Sequence, residues 1–164
     1  MAATIAQTEA NKVPFVDTTL HQCEVKWQGN TLEYDHFSYV HQIIFPGGQS
    51  VLGNIHKQEP GALNTNPEEL FAAAVGTCMM MTMLAVCSKS KINVVAYHDH
   101  PEATLEFVER RFRVTKVTLR PQITIDGQIE PERLKSLFEK AHANCFVSLS
   151  IKSKVVIEPS YLSA

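Results

Sequence analysis

Neither sign of charge predominates in this sequence, and this absence limits the partners that it can bind. The chain has 15 lysine and arginine residues against 17 aspartate and glutamate residues, which gives a formal net charge of −2 at neutral pH. A domain that binds nucleic acid usually carries a clear excess of basic residues on one face. We therefore expect no nucleic-acid partner. Hydrophobic residues make up 45% of the 164 positions, which is typical of a chain with a globular core.

Cysteine is also scarce, and the first residues lack the marks of a secretory signal. The chain has four cysteines, too few for a disulfide-stapled scaffold of this length. Residues 1–13 contain no basic start and no apolar run of about seven residues, so they do not resemble a signal peptide. We therefore expect a cytoplasmic protein whose cysteines are reduced at rest. In that compartment a cysteine pair is more often catalytic, redox-active or metal-binding than structural.

The motifs of several common enzyme classes are missing. The sequence has no glycine-rich phosphate loop and no Gly-x-Ser-x-Gly nucleophile motif. Two pairs of side chains could contribute to a metal site, because His98 and His100 flank one residue and His142 lies three residues before Cys145. Neither pair completes a zinc ligand set at a recognised spacing. We therefore expect neither a metal ion nor a bound cofactor.

Alternating and β-branched segments predict strands on both sides of an apolar helix. Turn signals such as Gly29-Asn30 and Asp126-Gly127 separate these segments. The predicted strands cover residues 21–28, 31–34, 36–45, 49–53, 92–98, 104–108, 112–119, 122–125 and 146–157. Residues 54–65 are interpreted as a loop. We expect residues 1–20 to form a flexible N-terminal arm and residues 21–164 to form a single domain.

The strongest local signal marks the start of a helix at Pro67. Asn66 is a favourable N-cap, and proline suits the first helical position. Glu69 stands three residues after Asn66, as a capping box requires. The carboxylates of Glu68 and Glu69 also lie at the positive end of the helix dipole. These signals together predict a helix that begins at Pro67.

The body of this helix has an unusual composition. Residues 70–87 contain no charged side chain, and this run of 18 residues reaches the length of a transmembrane span. Gly76 and two threonines interrupt the run, and lysines follow it. A helix that is apolar on every face can also form the centre of a globular core or of a dimer. We favour this second interpretation and expect no membrane span.

Two cysteines occupy helical positions that face a core. Cys78 lies in the middle of the apolar helix, and Cys145 continues the apolar face of a second helix predicted over residues 131–144. Each can be interpreted as a small buried hydrophobic residue. Together they are more suggestive, because two core-facing cysteines could meet in space. Cys87 follows Cys78 by nine residues, about 900° of helical rotation, and therefore faces the opposite side.

Glu68 has two candidate roles. Its carboxylate complements the helix dipole, and this explanation is sufficient on local grounds. Glu68 precedes Cys78 by ten residues, about 15 Å along a helix, so the two side chains cannot touch within one chain. Glu68 could instead approach Cys78 of a second chain that lies antiparallel in a two-fold dimer. A helix that is apolar on all faces favours such a dimer.

Two segments resemble the OsmC/Ohr family, the osmotically inducible and organic-hydroperoxide-resistance proteins. The first is Asn-Pro-Glu-Glu-Leu at 66–70 followed by Phe-Ala-Ala-Ala-Val-Gly-Thr-Cys at 71–78, and the second is Glu-Lys-Ala-His-Ala-Asn-Cys at 139–145. The two cysteines are 67 positions apart, as in that family, and the resemblance spans about residues 21–158. It implies an α+β fold in which curved antiparallel sheets surround a long buried central helix. It also implies an intertwined two-fold homodimer.

The resemblance further implies a thiol peroxidase that acts on small organic hydroperoxides. Cys78 would attack the O–O bond as a thiolate and become a sulfenic acid, and Cys145 would resolve this acid as a disulfide. A dithiol reductant, such as a lipoyl protein, would then reopen the disulfide. In the family an arginine N-terminal to the Asn-Pro-Glu motif supports the thiolate. The glutamate of that motif, here Glu68, holds the arginine.

The sequence departs from this pattern, because its first arginine is Arg110. The stretch before the apolar helix offers His56 and Lys57 instead, and neither side chain has the planar, bidentate fork of arginine. We expect one of these two to supply the cation near Cys78, with the predicted hairpin at Arg110–Arg113 as the alternative. This departure indicates a divergent branch of the family.

Two functions therefore stay open at this point. One is a cysteine-based organic hydroperoxide reductase. Its candidate catalytic residues are Cys78, Cys145, Glu68, His56 and Lys57. The other is a catalytically weak OsmC-like dimer that is associated with stress or binds a hydrophobic ligand. The missing upstream arginine favours the second function, and the cysteine pair favours the first. We favour the enzyme, because two positioned cysteines have little other reason to occur together.

Overall fold

A computed structural model describes residues 18–55 and 63–164, and in this part of the chain three small sheets accompany one long helix. The helices are α1 (Pro67–Lys89), α2 (Pro131–His142) and α3 (Phe146–Leu149). The strands are β1 (Glu24–Lys26), β2 (His41–Ile44), β3 (Ser50–Gly53), β4 (Asn64–Thr65), β5 (Val94–His98), β6 (Glu102–Val108), β7 (Arg111–Leu119), β8 (Gln122–Ile125), β9 (Lys154–Ile157) and β10 (Ser160–Ser163). The α+β class and the central helix are confirmed. The arm predicted over residues 1–20 lies outside the described residues up to position 17.

Helix α1 begins where its capping residues predict. The Asn66 side chain accepts a hydrogen bond from the Glu69 backbone N–H at 2.8 Å, and the Glu69 carboxylate accepts one from the Asn66 N–H at 3.0 Å. This reciprocal pair satisfies two N–H groups that the end of a helix leaves without partners. The predicted capping box is thus confirmed, and it fixes Glu68 in the first turn of α1.

One face of α1 carries the hydrophobic core. Val75, Met79 and Met83 are fully buried on this face. The core continues in β7, β8 and α2 through Val117, Leu119, Ile123, Leu137, Phe138 and Ala141. Helix α1 is long and apolar enough to cross a membrane, but nearly half of its most apolar window is buried within the fold. This burial supports the interpretation of α1 as a core helix.

The three sheets have the strand orders β1-β2-β3-β4, β10-β8-β5 and β6-β7-β9. Each contains antiparallel pairs, as predicted, and each also contains one parallel pair: β3 with β4, β8 with β10, and β7 with β9. Hairpin turns can be recognised from glycine, asparagine and aspartate residues, whereas a parallel pair joins strands without a tight turn between them. The sequence therefore predicted the antiparallel hairpin of β6 and β7 and missed the parallel pairs, including the whole of β10.

Two predictions for the N-terminal half were wrong. Residues 31–34, predicted as a strand, form bends and turns. The Asn30 side chain accepts a hydrogen bond from the Leu32 N–H at 2.9 Å, a local contact that competes with strand pairing. Residues 54–65, predicted as a loop, include the short strand β4 among the described positions.

The prediction for the segment after Cys145 was also partly wrong. The whole of 146–157 was predicted as a strand, but α3 occupies its first four residues and β9 its last four. The hydroxyls of Ser148 and Ser150 donate to the carbonyls of Cys145 and Phe146 at 2.9 and 2.7 Å. These bonds to the backbone favour a helical turn, while a four-residue helix is too short to show a helical period.

Gly76 allows α1 to approach the segment between β5 and β6. A Cβ atom at this position would overlap the Cγ atom of Pro101. Alanine normally stabilises a helix by about 1 kcal/mol relative to glycine, but here the overlap should reverse the sign. We predict that Gly76→Ala lowers the free energy of unfolding by about 1–3 kcal/mol, measured by urea denaturation.

Lys135→Gly is the control, because Lys135 is an exposed position in the interior of helix α2. This variant should lose about 1 kcal/mol through helix propensity alone. If Gly76→Ala proved as stable as the parent or more stable, Pro101 would not be in tight contact with α1.

Candidate functional site

Cys78 and Cys145 meet in the core. Their Sγ atoms are 3.0 Å apart. Both cysteines are free, with exposed fractions of 4% for Cys78 and 0% for Cys145. The structure therefore brings together the two cysteines that the sequence selected. A pair of thiols at this separation is one small movement from a disulfide, whose sulfurs lie about 2 Å apart.

Two helices place these sulfurs. Helix α1 carries Cys78 on its buried face, next to Met79. Helix α2 packs its apolar face on the same core and is followed by Cys145, which is the N-cap residue of α3. The packing of the amphipathic helix α2 on the core therefore places Cys145 beside α1. Cys87, also buried on α1, takes no part in this contact.

The environment of Cys78 favours its neutral form. Burial raises the pKa of the Cys78 thiol, because a thiolate at this place loses its hydration. The neighbouring Cys145 sulfur raises the pKa further, since two sulfurs in contact do not easily both carry negative charge. The Val147 backbone N–H and the Thr82 hydroxyl lower the pKa of Cys78 by hydrogen bonding, but they do not outweigh burial.

The predicted activating groups are not at this site within one chain. Glu68 is half-buried beside Asn66 and Pro101, in a cavity at the first turn of α1. It is ten residues, or roughly 15 Å of helix, from Cys78. His56 and Lys57 lie outside the described residues. Among residues 18–55 and 63–164, no cationic side chain forms a hydrogen bond with the Cys78 sulfur.

The alternative source of a cation, the hairpin of β6 and β7, is exposed at its tip. Glu109 and Arg110 form the turn with φ values of 51° and 65°. Arg113 pairs with Glu109 at 2.8 Å. Among the described contacts, Arg113 is therefore paired within its own hairpin and not with a cysteine.

Neither pair of side chains considered for metal binding is joined by further ligands among the described residues. His98 and His100 are in edge-to-face contact, with ring centroids 4.6 Å apart. Over the described part of the chain, no group of three or more histidine, cysteine, aspartate and glutamate side chains is placed to hold a metal ion.

Sequence reasoning missed two polar residues near the cysteines. Tyr97 packs against the core that contains both sulfurs, and Asp99 follows it on the same segment. Burial raises the pKa of Tyr97, and so do the Asp99 carboxylate and any negative charge on Cys145. Simple alternation along β5 could not have placed Tyr97 in the core, because a register shift after Val94 leaves Val94 and Tyr97, three residues apart, as the half-buried positions.

The neighbouring sulfur should control the reactivity of Cys78. We predict that Cys145→Ala lowers the pKa of Cys78, because it removes a group that raises this pKa. More thiolate is then present at a given pH, so alkylation by iodoacetamide should reach half its maximal rate at a lower pH. Peptide mass spectrometry measures the modification of Cys78 across a pH series.

Cys87→Ala is the matched control, since Cys87 is a buried cysteine on the same helix. It should leave the pH profile of Cys78 unchanged. A profile in Cys145→Ala that stayed in place or moved to higher pH would contradict the assigned coupling between the sulfurs.

Comparisons with known proteins identify chains of similar sequence. Peroxiredoxin OsmC of Escherichia coli is 26% identical over 98 residues, which cover 60% of this chain and 68% of that protein. The uncharacterized protein YmaD of Bacillus subtilis is 23% identical over 140 residues, which cover 76% of this chain and 92% of that protein.

Solved structures show the same fold. An OsmC-like protein of unknown function from Vibrio cholerae has a TM-score of 0.76 and 31% identity, with 87% of this chain and 99% of that chain covered. An organic hydroperoxide resistance protein from Elizabethkingia anophelis has a TM-score of 0.61 and 20% identity, with coverage of 89% and 99%. A family model described as OsmC-like protein matches residues 59–160, well over half of the sequence. The chain therefore belongs to the OsmC-like family.

Proposed function

We propose that this protein is a thiol peroxidase that reduces organic hydroperoxides through Cys78 and Cys145. The observation that carries the proposal is the buried contact of 3.0 Å between their Sγ atoms. Membership of the OsmC-like family supports it. So does the similarity to a protein named as a peroxiredoxin. Two cysteines that meet in a reduced, buried state are well placed for oxidation to a disulfide.

The bonds that form and break in the reaction belong to the two thiols, a hydroperoxide and a dithiol. The Cys78 thiolate attacks the terminal oxygen of R–O–O–H, the O–O bond breaks, and the alkoxide takes a proton to leave as an alcohol. The sulfur is oxidised to a sulfenic acid, and the peroxide is reduced. The Cys145 sulfur then displaces hydroxide from Cys78, and this hydroxide leaves as water with the Cys145 proton. A dithiol, such as a lipoyl group, reduces the resulting disulfide.

Cys78 is assigned the first attack because of its surroundings. It keeps a small exposed fraction, whereas Cys145 is completely buried. The Val147 N–H and the Thr82 hydroxyl support negative charge on the Cys78 sulfur. Phe146 and Leu149, which follow Cys145 on α3, are each about two-thirds exposed and give the neighbourhood an apolar surface. Such a surface suits a hydroperoxide with an apolar organic group.

The raised pKa of Cys78 requires a cation that the described contacts of one chain do not supply. The sequence assigns this role to His56 or Lys57, and that assignment stays a prediction. Glu68 would hold the cation, as the family resemblance implies. An antiparallel second chain would bring the first turn of its α1, and with it Glu68, towards Cys78. We therefore propose that a partner chain contributes Glu68 to the groups that activate Cys78.

Exposed apolar side chains give a second argument for a two-fold homodimer. In the sheet formed by β1 to β4, the buried residues are Ile43 and Gly53, and apolar side chains such as Val25 and Leu52 remain exposed. On α1, Met81 is 54% exposed. Large exposed apolar areas of this kind mark surfaces that a partner covers. We therefore propose that a second copy of the chain covers this sheet and the outer face of α1. As a separate proposal, the protein acts in the cytoplasm.

The dimer can be tested by sedimentation velocity. We predict a dimer at micromolar concentration in the parent protein. Met81→Glu places a charge on the exposed apolar face of α1 and should weaken association at least tenfold, about 1.4 kcal/mol. Lys135→Glu, at an exposed position of α2, is the control and should leave the dimer intact. A folded parent that stayed monomeric at this concentration would refute the dimer.

The roles of the cysteines can be tested by turnover of cumene hydroperoxide with a dithiol reductant. We predict that Cys78→Ser lowers the rate at least about a hundredfold, because the nucleophile is lost. Cys145→Ser should still form the sulfenic acid at Cys78 but should not form the disulfide. Cys87→Ser is the matched control and should retain the parent rate.

A parent protein whose Cys78 is oxidised no faster than a free cysteine would overturn the peroxidase proposal. A second function would then apply, that of an OsmC-like dimer that binds a hydrophobic ligand without efficient catalysis. The observation that favours this alternative is the raised pKa of Cys78 without a nearby cation among the described residues. Equal turnover by Cys78→Ser and the parent would have the same consequence.

A further inference from the structure

His98 and His100 form a pair of imidazole rings at the end of β5. Their ring centroids are 4.6 Å apart, and the ring planes cross at 84°. Both side chains are exposed. Within residues 18–55 and 63–164, neither ring forms a hydrogen bond or an ion pair. The nitrogen atoms of both rings are therefore available to a ligand as far as this part of the chain is concerned.

The backbone holds the two rings on one side of the segment. His98 is paired with Gln122 of β8, so the end of β5 is extended, and side chains alternate between the two faces of an extended segment. The Asp99 side chain, between the two histidines, turns inward. Its Oδ1 atom accepts the Arg120 N–H at 2.7 Å, and its Oδ2 atom is buried. This anchor keeps His98 and His100 together on the opposite, exposed face.

The separation of the rings matches that of two imidazoles bound to one metal ion. In such a complex each nitrogen lies about 2.0–2.1 Å from the ion, which puts the ring centre about 3.2 Å from it. Two rings at neighbouring positions, about 90–109° apart as seen from the ion, then have centres about 4.5–5.2 Å apart. The observed distance of 4.6 Å lies within this range. Rotation of the rings is all that is needed to direct one nitrogen of each at a common point.

The two ligands select the class of metal. Imidazole nitrogen suits late first-row ions such as Ni²⁺, Cu²⁺ and Zn²⁺, whereas Mg²⁺ and Ca²⁺ take oxygen ligands. Among the described residues, no third histidine, cysteine, aspartate or glutamate completes a metal-binding group with the pair. Water would therefore fill the remaining positions, and a cavity of about 350 Å³ beside His98 leaves room for it. Such an open site differs from the closed four-ligand zinc site that the sequence excludes.

We propose that His98 and His100 together bind one late first-row divalent metal ion. Once one imidazole holds the ion, the second lies beside it, so the second bond forms within one complex and strengthens it. The anchored Asp99 preorganises the pair and so reduces the ordering cost of binding. The site does not involve the cysteine pair. The inference therefore goes beyond the proposed peroxidase and does not depend on it.

The site can be tested by isothermal titration calorimetry of the full chain, purified without a histidine tag, with Ni²⁺ as the probe. We predict that the parent binds Ni²⁺ and that His98→Gln and His100→Gln each weaken this binding at least about tenfold, because each leaves a single imidazole. Both side chains are exposed, so neither substitution disturbs the core. Mg²⁺ should not bind in place of Ni²⁺.

His36→Gln is the matched control. His36 is also exposed, but the partner beside it is the Glu33 carboxylate at 3.5 Å and not a second imidazole. This variant should bind Ni²⁺ as the parent does. A parent that binds no Ni²⁺ would overturn the proposal. So would parent affinity in both His98→Gln and His100→Gln, because the ion would then be bound elsewhere, for example at the exposed Cys23.

Proton NMR identifies the ligands directly, because Ni²⁺ is paramagnetic and broadens the signals of nearby protons. We predict that a small amount of Ni²⁺ first broadens two histidine ring signals, one of which is missing from the spectrum of His98→Gln and the other from that of His100→Gln. Broadening that begins at other histidines would contradict the assigned site, and so would displacement of Ni²⁺ by an equal concentration of Mg²⁺.

Discussion

The packing of α2 against α1 is the interaction on which the candidate site depends. Neither helix carries both sulfurs, and 67 residues separate Cys78 from Cys145. The apolar face of α2, with Leu137, Phe138 and Ala141 buried, docks on the core face of α1 and leaves Cys145 at its end. Burial of Leu137 and burial of Phe138 each stabilise this packing by about 1.5–3 kcal/mol. The contact between the sulfurs is therefore maintained by hydrophobic packing that has no chemical role of its own.

The same burial creates the main chemical difficulty of the site. An apolar environment holds the two thiols in contact, but it also raises the pKa of Cys78 and disfavours the reactive thiolate. The Val147 N–H and the Thr82 hydroxyl compensate in part. Further stabilisation has to come from groups that one described chain does not bring to the sulfur. The proposed sources of this stabilisation are His56 or Lys57 and the Glu68 of a second chain.

The sequence predicted those features that depend on residues close together in the chain. The capping box at Asn66 spans three residues, and the helical spacing around Cys78 and Cys145 shows which side faces the core. Features that depend on distant contacts were missed or wrong. The parallel strand pairs leave no turn signal, and α3 was hidden by strand-like alternation. The packing of Tyr97 against the core becomes visible only when β5 is paired with β8.

The most direct test of the account is the position of the disulfide after oxidation. The reduced protein is treated with one equivalent of cumene hydroperoxide, and its peptides are mapped by mass spectrometry without reduction. The account predicts one disulfide, between Cys78 and Cys145, with Cys23 and Cys87 still free. Oxidation of Cys78 while Cys145 remains a free thiol, or a disulfide that includes Cys23 or Cys87, would contradict it.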